Sequence, residues 1–345
     1  MVRKYFQGAN TASGYVNMLG NNLSGIDRIY TLSGDAEKEK NKVFEYVLQK
    51  AEEKFGNVEC IVNPFDVGNI DGIIIRDTKT AIVDYDIYDG EKEAKIIDLN
   101  CKNYGKSDNI EALKDKEKWA MEMFYSAYKK AKIIHDEWEA LYIDNIDFSR
   151  LESYGEGVIN QLIGNRMGEK GTQNHHRFFG ASTPDGSVNY IDNLTENLSK
   201  RYFIKGRPGT GKSTFLKKLS KVANEKGFDT ELYYCSFDRN SLDMVIVPEL
   251  SFCVFDSTAP HEMFPETDRD SILDFYIESG LFGVDEKLER ELKDVSVRYK
   301  QKISEGLAYL RLKKLYRREI EYILESYWSE SKAQKIAGKL VDDVM

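Results

Sequence analysis

The sequence predicts an α/β protein built from two similar domains in tandem. Short apolar runs of strand length alternate with patterns of helical period, which favours a parallel sheet with flanking helices in each domain. Two further observations are an internal repeat and a glycine-rich loop that joins a strand to a helix. The length of 345 residues fits two such domains, each followed by a helical extension.

The repeat appears when the chain is aligned with itself at a shift of 172 positions. The first copy reads FQGANTASGYVN from Phe6, and the second reads FFGASTPDGSVN from Phe178. Matches continue without a gap as far as Asp84 and Asp256, held by glycines, asparagines and aspartates. We therefore predict a tandem duplication, with domains at 1–164 and 177–345 and a polar linker at 165–176.

Each copy is expected to contain the same order of elements before its helical extension. The strands and helix predicted in the first copy are Arg28–Leu32, Glu37–Glu53 (helix), Val58–Val62, Gly72–Arg76 and Thr80–Val83. Those predicted in the second copy include the strands Thr230–Tyr234, Met244–Val247 and Phe252–Phe255. The extensions are the helical patterns Lys116–Ile143 and Glu286–Tyr327, with a final short helix that ends at Val344. The two extensions resemble each other only faintly.

The glycine loop has the pattern G-x-x-x-x-G-K-[ST], which is typical of loops that bind the phosphates of a nucleotide. Tyr202, Phe203 and Ile204 predict the strand before it, and an amphipathic helix follows it. Backbone N–H groups of such a loop point at phosphate oxygens, and the helix adds its positive end. The residues expected to bind the nucleotide are Gly206, Arg207, Pro208, Gly209, Thr210, Gly211, Lys212, Ser213 and Thr214. We expect Lys212 to contact the β- and γ-phosphates of ATP and the Ser213 hydroxyl to bind Mg²⁺.

The first copy has lost this loop. The aligned residues read GDAEKEKN, so that Glu37 and Glu39 stand where Gly209 and Gly211 are needed. Two side chains and two negative charges then occupy the phosphate position, and Lys40 by itself cannot replace the cradle. We expect nucleotide to bind only in the second copy.

Several acidic residues near the predicted carboxyl edge of the second sheet are candidates for chemistry. Asp256 ends an apolar strand and is expected to hold Mg²⁺ with Ser213, although a turn role is an alternative. Asp238 is a candidate for placing the attacking water or accepting a proton, and Asp243 and Glu249 are weaker candidates. Aspartates at the positions equivalent to Asp238 and Asp243 persist in the degenerate copy, which favours a loop-capping role for both.

The remaining candidates are basic or titratable residues. His261 follows Asp256 and has no counterpart in the first copy, so it is a candidate for sensing the γ-phosphate or contacting a second substrate, with the closing of a proline turn as the alternative. A basic cluster in the last long helix is expected to be a solvated face, with an arginine acting on the triphosphate as the alternative. Its members are Arg311, Lys313, Lys314, Arg317 and Arg318. His175 and His176 lack a third ligand and make a poor metal site.

Composition narrows the class of protein further. The net charge of −9 disfavours nucleic acid as a partner, and no basic-aromatic face is evident. Four cysteines, at positions 60, 101, 235 and 253, are widely spaced and are expected to be reduced thiols. The sequence shows neither an apolar run of membrane-span length nor a signal-peptide core, so a cytoplasmic protein without membrane contact is expected.

The motifs FxGxxTxxGxxN, KGRPGTGKST, CSFDRNSLDMVIVPE and DSTAPH together resemble a family of uncharacterised bacterial P-loop ATPases. These two-repeat proteins occur mainly in Gram-positive spore formers, and the resemblance covers nearly the whole chain. The family pattern has a phosphate loop in both copies, so this sequence departs from it in the first. The resemblance implies two tandem P-loop NTPase-like domains that bind and hydrolyse ATP; it supplies no substrate.

We therefore expect a Mg-dependent ATPase that acts through the second copy only, with nucleoside triphosphate as ligand and Lys212, Asp238, Asp256 and His261 as catalytic candidates. One alternative is a small-molecule or nucleotide kinase with an unidentified small-molecule or protein acceptor. Another is a nucleotide-gated binding module without significant turnover.

Overall fold

The computed structural model describes residues 2–99, 108–169 and 173–345, and these form two α/β cores and four helices of the extensions. Cys101 and positions 170–172 of the predicted linker lie outside the described residues. No helix within the described ranges is long and apolar enough to cross a membrane.

The first core is a six-stranded sheet with the order β1-β5-β6-β7-β4-β8. Its strands are β1 (Val2–Tyr5), β4 (Arg28–Ser33), β5 (Val58–Val62), β6 (Ile70–Ile75), β7 (Thr80–Asp84) and β8 (Lys95–Asp98). A separate hairpin of β2 (Gly8–Thr11) and β3 (Gly14–Asn17) precedes helices α1 (Leu19–Asn22) and α2 (Glu37–Lys54).

The second core repeats this arrangement in the order β9-β13-β14-β15-β12-β16. Its sheet strands are β9 (Asn174–Arg177), β12 (Lys200–Lys205), β13 (Thr230–Tyr234), β14 (Leu242–Val247), β15 (Phe252–Asp256) and β16 (Asp270–Asp274). Its hairpin strands and helices are β10 (Gly180–Thr183), β11 (Gly186–Asn189), α5 (Ile191–Thr195), α6 (Lys212–Glu225), α7 (Phe275–Glu278) and α8 (Val284–Lys287). Strand β9 therefore includes the last three residues of the predicted linker.

Both sheets are mixed, which corrects the expectation of a purely parallel sheet. Strands β6 and β14 each run antiparallel to both of their neighbours, whereas the other pairings are parallel. Only short connections, including the 3₁₀ turns Arg76–Thr78 and Pro248–Leu250, join these strands to the next. Such connections can reverse the chain but cannot return it to a parallel strand, which needs a crossover of a dozen or more residues.

The predicted duplication is visible in the details of the two sheets. Val2 pairs with Val58 and Asn174 pairs with Thr230, so the register is preserved at the same shift of 172. Lys79 and its equivalent Ser251 both have positive φ, of 50° and 52°. The copies meet at a reciprocal antiparallel bridge between Phe6 and Phe178, each of which donates its N–H to the other's carbonyl at 2.9 Å.

A buried ion network lies beside this bridge. The Arg177 guanidinium donates to both Glu59 carboxylate oxygens at 3.0 Å, and Arg3 donates to Glu231 at 2.7 and 2.6 Å. Burial disfavours the charge on Glu59, but Arg177 and Arg76 more than offset it and lower its pKa to about 2. These pairs cross between the copies, so neither carboxylate is buried without a counter-charge.

The helical extensions are exchanged between the cores. Helices α3 (Asp108–Ile143) and α4 (Phe148–Leu162) follow the first core in sequence, and α9 (Glu289–Leu324) and α10 (Glu330–Val344) follow the second. Yet α4 packs through its buried apolar side chains on α6 of the second core, and α10 packs in the same way on α2 of the first. Helices α3 and α9 cross each other, with Phe124, Tyr128 and Leu310 buried at the crossing. Each extension thus covers the other copy's core.

Candidate functional site

The glycine loop of the second copy lies between β12 and the amino end of α6, as predicted. Gly209 and Gly211 have φ of 81° and 72°, a region that favours glycine. A Cβ on Gly206 would lie 2.6 Å from the Thr210 hydroxyl oxygen. Helix α6 is fixed below the loop by the buried side chains of Phe215 and Leu216. The loop therefore favours glycine at the two positions that the motif fixes, Gly206 and Gly211, and at Gly209 between them.

Lys212 faces the aspartate at the end of the adjacent strand. Its Nζ donates to the Arg207 carbonyl at 3.0 Å and lies 3.6 Å from Asp256 Oδ2. Asp256 pairs with Ile204 across the parallel strands β15 and β12, and its other oxygen accepts hydrogen bonds from Thr258. One carboxylate oxygen thus caps a turn while the other is directed toward the loop.

The other loop residues differ in exposure and in partners. The Ser213 hydroxyl accepts from the Leu242 N–H at 2.9 Å, while Thr214 is exposed and Pro208 is half-buried. Arg207 does not face the Lys212 side of the loop; its guanidinium pairs with Asp285 and lies over the Tyr276 ring. The buried Thr210 hydroxyl donates to the Arg207 carbonyl at 2.8 Å, which tightens the turn.

Asp243 lies near the loop, and its pKa is strongly shifted. Burial and the charge of Asp256 raise the pKa of Asp243 to about 7. Burial and Asp84 similarly raise the pKa of Asp71, its equivalent in the first copy, to about 8. A buried carboxyl group that senses the charge of a second one is therefore a property of the fold in both copies, and it is a setting in which a bound cation would be stabilised.

The two remaining predicted acids, Asp238 and Glu249, lie at opposite edges of the second sheet. Asp238 accepts from the Asn240 N–H at 3.0 Å and pairs with Lys132 of α3 at 3.3 Å, so it both caps its loop and faces the exchanged helix. Glu249 lies in the turn before β15 and is therefore at the opposite edge of the sheet from the glycine loop.

His261 packs against the β10–β11 hairpin. Its ring meets the Phe179 ring edge-on at 5.0 Å between centroids, and its Cε1 lies 3.1 Å from where a Cβ of Gly180 would be. Burial lowers its pKa to about 4, although Asp256 acts in the opposite direction. The half-buried ring thus makes packing contacts with the hairpin.

The basic cluster of α9 contacts other elements of the protein, which differs from the solvated face that we expected. Arg317 pairs with Glu117 at 2.8 Å and with Glu37 at 3.4 Å, and Lys314 pairs with Asp66 at 3.3 Å. Arg317 thus lies beside Glu37 of the degenerate loop, whereas Lys314 pairs both with Asp66 of the first copy and, at 2.9 Å, with Asp185 of the second.

The degenerate loop of the first copy has become helix. Helix α2 begins at Glu37, the equivalent of Gly209, whereas α6 begins only at Lys212. The Glu321 carboxylate of α9 accepts from the Glu37 and Lys38 N–H groups at 2.9 and 3.1 Å. The backbone donors that would face an anion are thus already paired within the chain.

Helix α3 extends across the mouth of the intact site. The sequence predicted this helix but not its position over the glycine loop. A Cβ on Gly209 would lie 3.1 Å from Ile143 Cγ1 and 3.2 Å from the Glu139 carbonyl oxygen. One turn earlier on the same helix, His135 lies against Phe237. A signal was present in the sequence, because Lys132 and Glu139 recur as Lys314 and Glu321 at a spacing of 182 rather than 172. Because the extensions align at a shift ten residues larger than the cores, a gapless alignment at 172 does not match them.

Searches with the whole chain found no matching protein-family model, curated protein or solved structure.

Proposed function

We propose that the chain binds Mg-ATP at the glycine loop of the second copy and hydrolyses it. The observation that carries the proposal is the conformation of this loop. Two glycines with positive φ lead into a helix N-terminus, and the lysine that follows them faces an aspartate at the end of the neighbouring strand. Backbone donors, a fixed cation and a metal-binding carboxylate are the groups that a triphosphate needs.

Each loop residue has a distinct part in this proposal. Backbone N–H groups of the loop would bind phosphate oxygens, and Lys212 would leave its partner at the Arg207 carbonyl to pair with them. Ser213 and Asp256 would hold Mg²⁺, which neutralises charge on the phosphates. The raised pKa of Asp243 favours this arrangement, since an added cation would relieve the repulsion between its carboxyl group and that of Asp256.

The first copy is proposed to bind no nucleotide. Its loop has coiled into the first turn of α2, and Glu321 occupies two of the amide donors. Lys40, the equivalent of Lys212, is buried and lies 2.6 Å from Asp84. Two backbone donors and the lysine of this loop are therefore already engaged inside the protein.

Replacing Lys212 tests the site. We expect Lys212→Ala to weaken the binding of a non-hydrolysable ATP analogue by about 100-fold, because a charge-assisted contact of roughly 3 kcal/mol is lost. Lys221→Ala is the matched control, since Lys221 is an exposed lysine on the same helix. Calorimetric titration should give one nucleotide per unmodified chain. Unchanged affinity in Lys212→Ala, with a normal unfolding curve, would reject the proposed site.

Product analysis separates the three kinds of function. Phosphate release from ATP and Mg²⁺ alone indicates hydrolysis, and ADP formation that needs an added metabolite indicates a kinase. Tight binding without turnover indicates a nucleotide-gated binding module.

A further inference from the structure

Helix α3 contributes side chains to the mouth of the intact site although it follows the first copy in sequence. Lys132 pairs with Asp238 at 3.3 Å, on the loop after β13. Two turns later, Glu139 and Ile143 lie on Gly209. His135 lies between these two contact points, so its position on the helix places it above the space between the Asp238 loop and the glycine loop.

The imidazole of His135 is half-buried, and one of its nitrogens has no hydrogen-bond partner among the described residues. Its ring packs near Phe237 and Tyr299, at 5.9 and 5.8 Å between centroids. Its Nδ1 is buried and has no hydrogen-bond partner among the described residues, and Glu139 Oε1 is 3.9 Å away. Burial lowers the pKa of His135, and Lys132 and Lys212 act in the same direction while Glu139 and Asp136 oppose them. The ring is therefore neutral near pH 7 and carries one N–H.

The degenerate copy shows where a side chain at this position reaches. Arg317 stands 182 positions after His135, and it lies 3.4 Å from Glu37, the equivalent of Gly209. In the first copy this side chain meets a carboxylate that has replaced the glycine. In the second copy the glycine is present, so a side chain that points the same way from position 135 faces the glycine loop.

We propose that His135 donates a hydrogen bond to the terminal phosphate of a nucleotide held by the glycine loop, so that the site is assembled from both copies. This inference rests on the proposed ATP binding at that loop. His135, Asp136 and Glu139 also lie close enough to share a metal ion. However, Asp136 is paired with Lys132, and this favours the phosphate as the partner of His135.

Two substitutions in the full-length chain separate a phosphate contact from packing. His135→Phe keeps an aromatic ring between Phe237 and Tyr299 but removes the N–H, and His135→Gln supplies an amide donor. The readout is the ratio of affinities for a non-hydrolysable ATP analogue and for ADP, since only the former has the terminal phosphate. We expect His135→Phe to lower this ratio by about tenfold or more, with ADP affinity within about twofold, and His135→Gln to restore much of it.

The controls make the outcome decisive. Ile133→Ala, at an exposed position on the same helix, should leave the ratio unchanged. If His135→Phe does not fold, His135→Ala is measured in the same way. An unchanged ratio in the variant that folds overturns the inference, as does Mn²⁺ binding without nucleotide that is lost in that variant. Nucleotide affinity that survives Lys212→Ala would reject the proposed function instead, independently of His135.

Discussion

Lys40 and Lys212 occupy equivalent positions, and the residues around them decide what each does. Lys40 is buried and lies 2.6 Å from Asp84, whereas Lys212 lies 3.6 Å from Asp256 and donates to a loop carbonyl. A short, buried ion pair is costly to break because either partner would remain charged and unpaired. The first lysine therefore stabilises the fold, while the second can exchange its partners for a ligand.

The buried carboxyl group of Asp71 makes the stability of the protein depend on pH. Its pKa rises from an ordinary 3.8 to about 8 in the folded chain, so it is neutral near pH 6 and must ionise in a buried place above pH 8. The contribution of Asp71 to stability is thus fully present below its unfolded pKa and is lost as pH rises toward its folded pKa. The loss is at most about 1.4 kcal/mol for each pH unit between the unfolded and the folded pKa.

Asp71→Asn should remove this contribution while its side-chain oxygen still accepts from Asn63. We expect the difference in unfolding free energy between pH 6 and pH 9 to be smaller in the variant by a few kcal/mol. Denaturant unfolding at both pH values measures it. Equal pH dependence in the two proteins would mean that Asp71 is ionised throughout.

At the scale of elements, the crossing of α3 and α9 depends on a glycine inside a helix. A Cβ on Gly306 would lie 2.5 Å from the ring of Tyr128, which is buried and packs against Phe124 at 4.1 Å between centroids. A side chain at position 306 would therefore require this buried ring or the helices themselves to shift. Close approach of the two helices therefore overrides the low helix propensity of glycine at this position.

Gly306→Ala is expected to destabilise the protein by about 1–3 kcal/mol, as overpacking in a dense core does. Gly157→Ala is the matched comparison, because Gly157 also lies within a helix but has open space at its Cβ position. That variant should be more stable by up to about 1 kcal/mol. Thermal unfolding of both variants tests the pair, and a stabilised Gly306→Ala would show that the helices can move apart.

At the scale of the whole molecule, the exchange of extensions makes the two copies one cooperative structure. Helix α4 buries Leu151, Ile159 and Leu162 on the second core, while α10 buries Leu340 and Val344 on the first. Separating the copies would expose both of these surfaces together with the ion network around Arg177.

A protease site introduced in the polar segment 165–169 tests this. After cleavage, the two fragments should still elute together as a 1:1 complex in size-exclusion chromatography, because the exchanged helices hold each core. In denaturant they should separate. Separate elution under native conditions would contradict the importance of the exchange.

Much of the local structure was predictable from the sequence because its causes are local. The strand Val58–Val62 and the register of the repeat were predicted and are confirmed, and helix α2 begins at Glu37 as expected. The glycine loop joins its strand and helix as predicted, and Gly209 and Gly211 supply the positive φ angles that such a turn needs.

Tertiary structure alone decided which core each extension covers and what lies over the loop. An amphipathic helix such as α4 specifies that one face is buried but not against which partner, because both cores offer apolar helices of similar pattern. The placement of His135 and Glu139 at the mouth, and of Glu321 on the amides of α2, follows from that choice. The physical reason is that these contacts join residues far apart in the chain, so their free energy depends on the packing of the whole protein. The recurrence of Lys132 and Glu139 as Lys314 and Glu321 relates the two helices but does not say which core each of them covers.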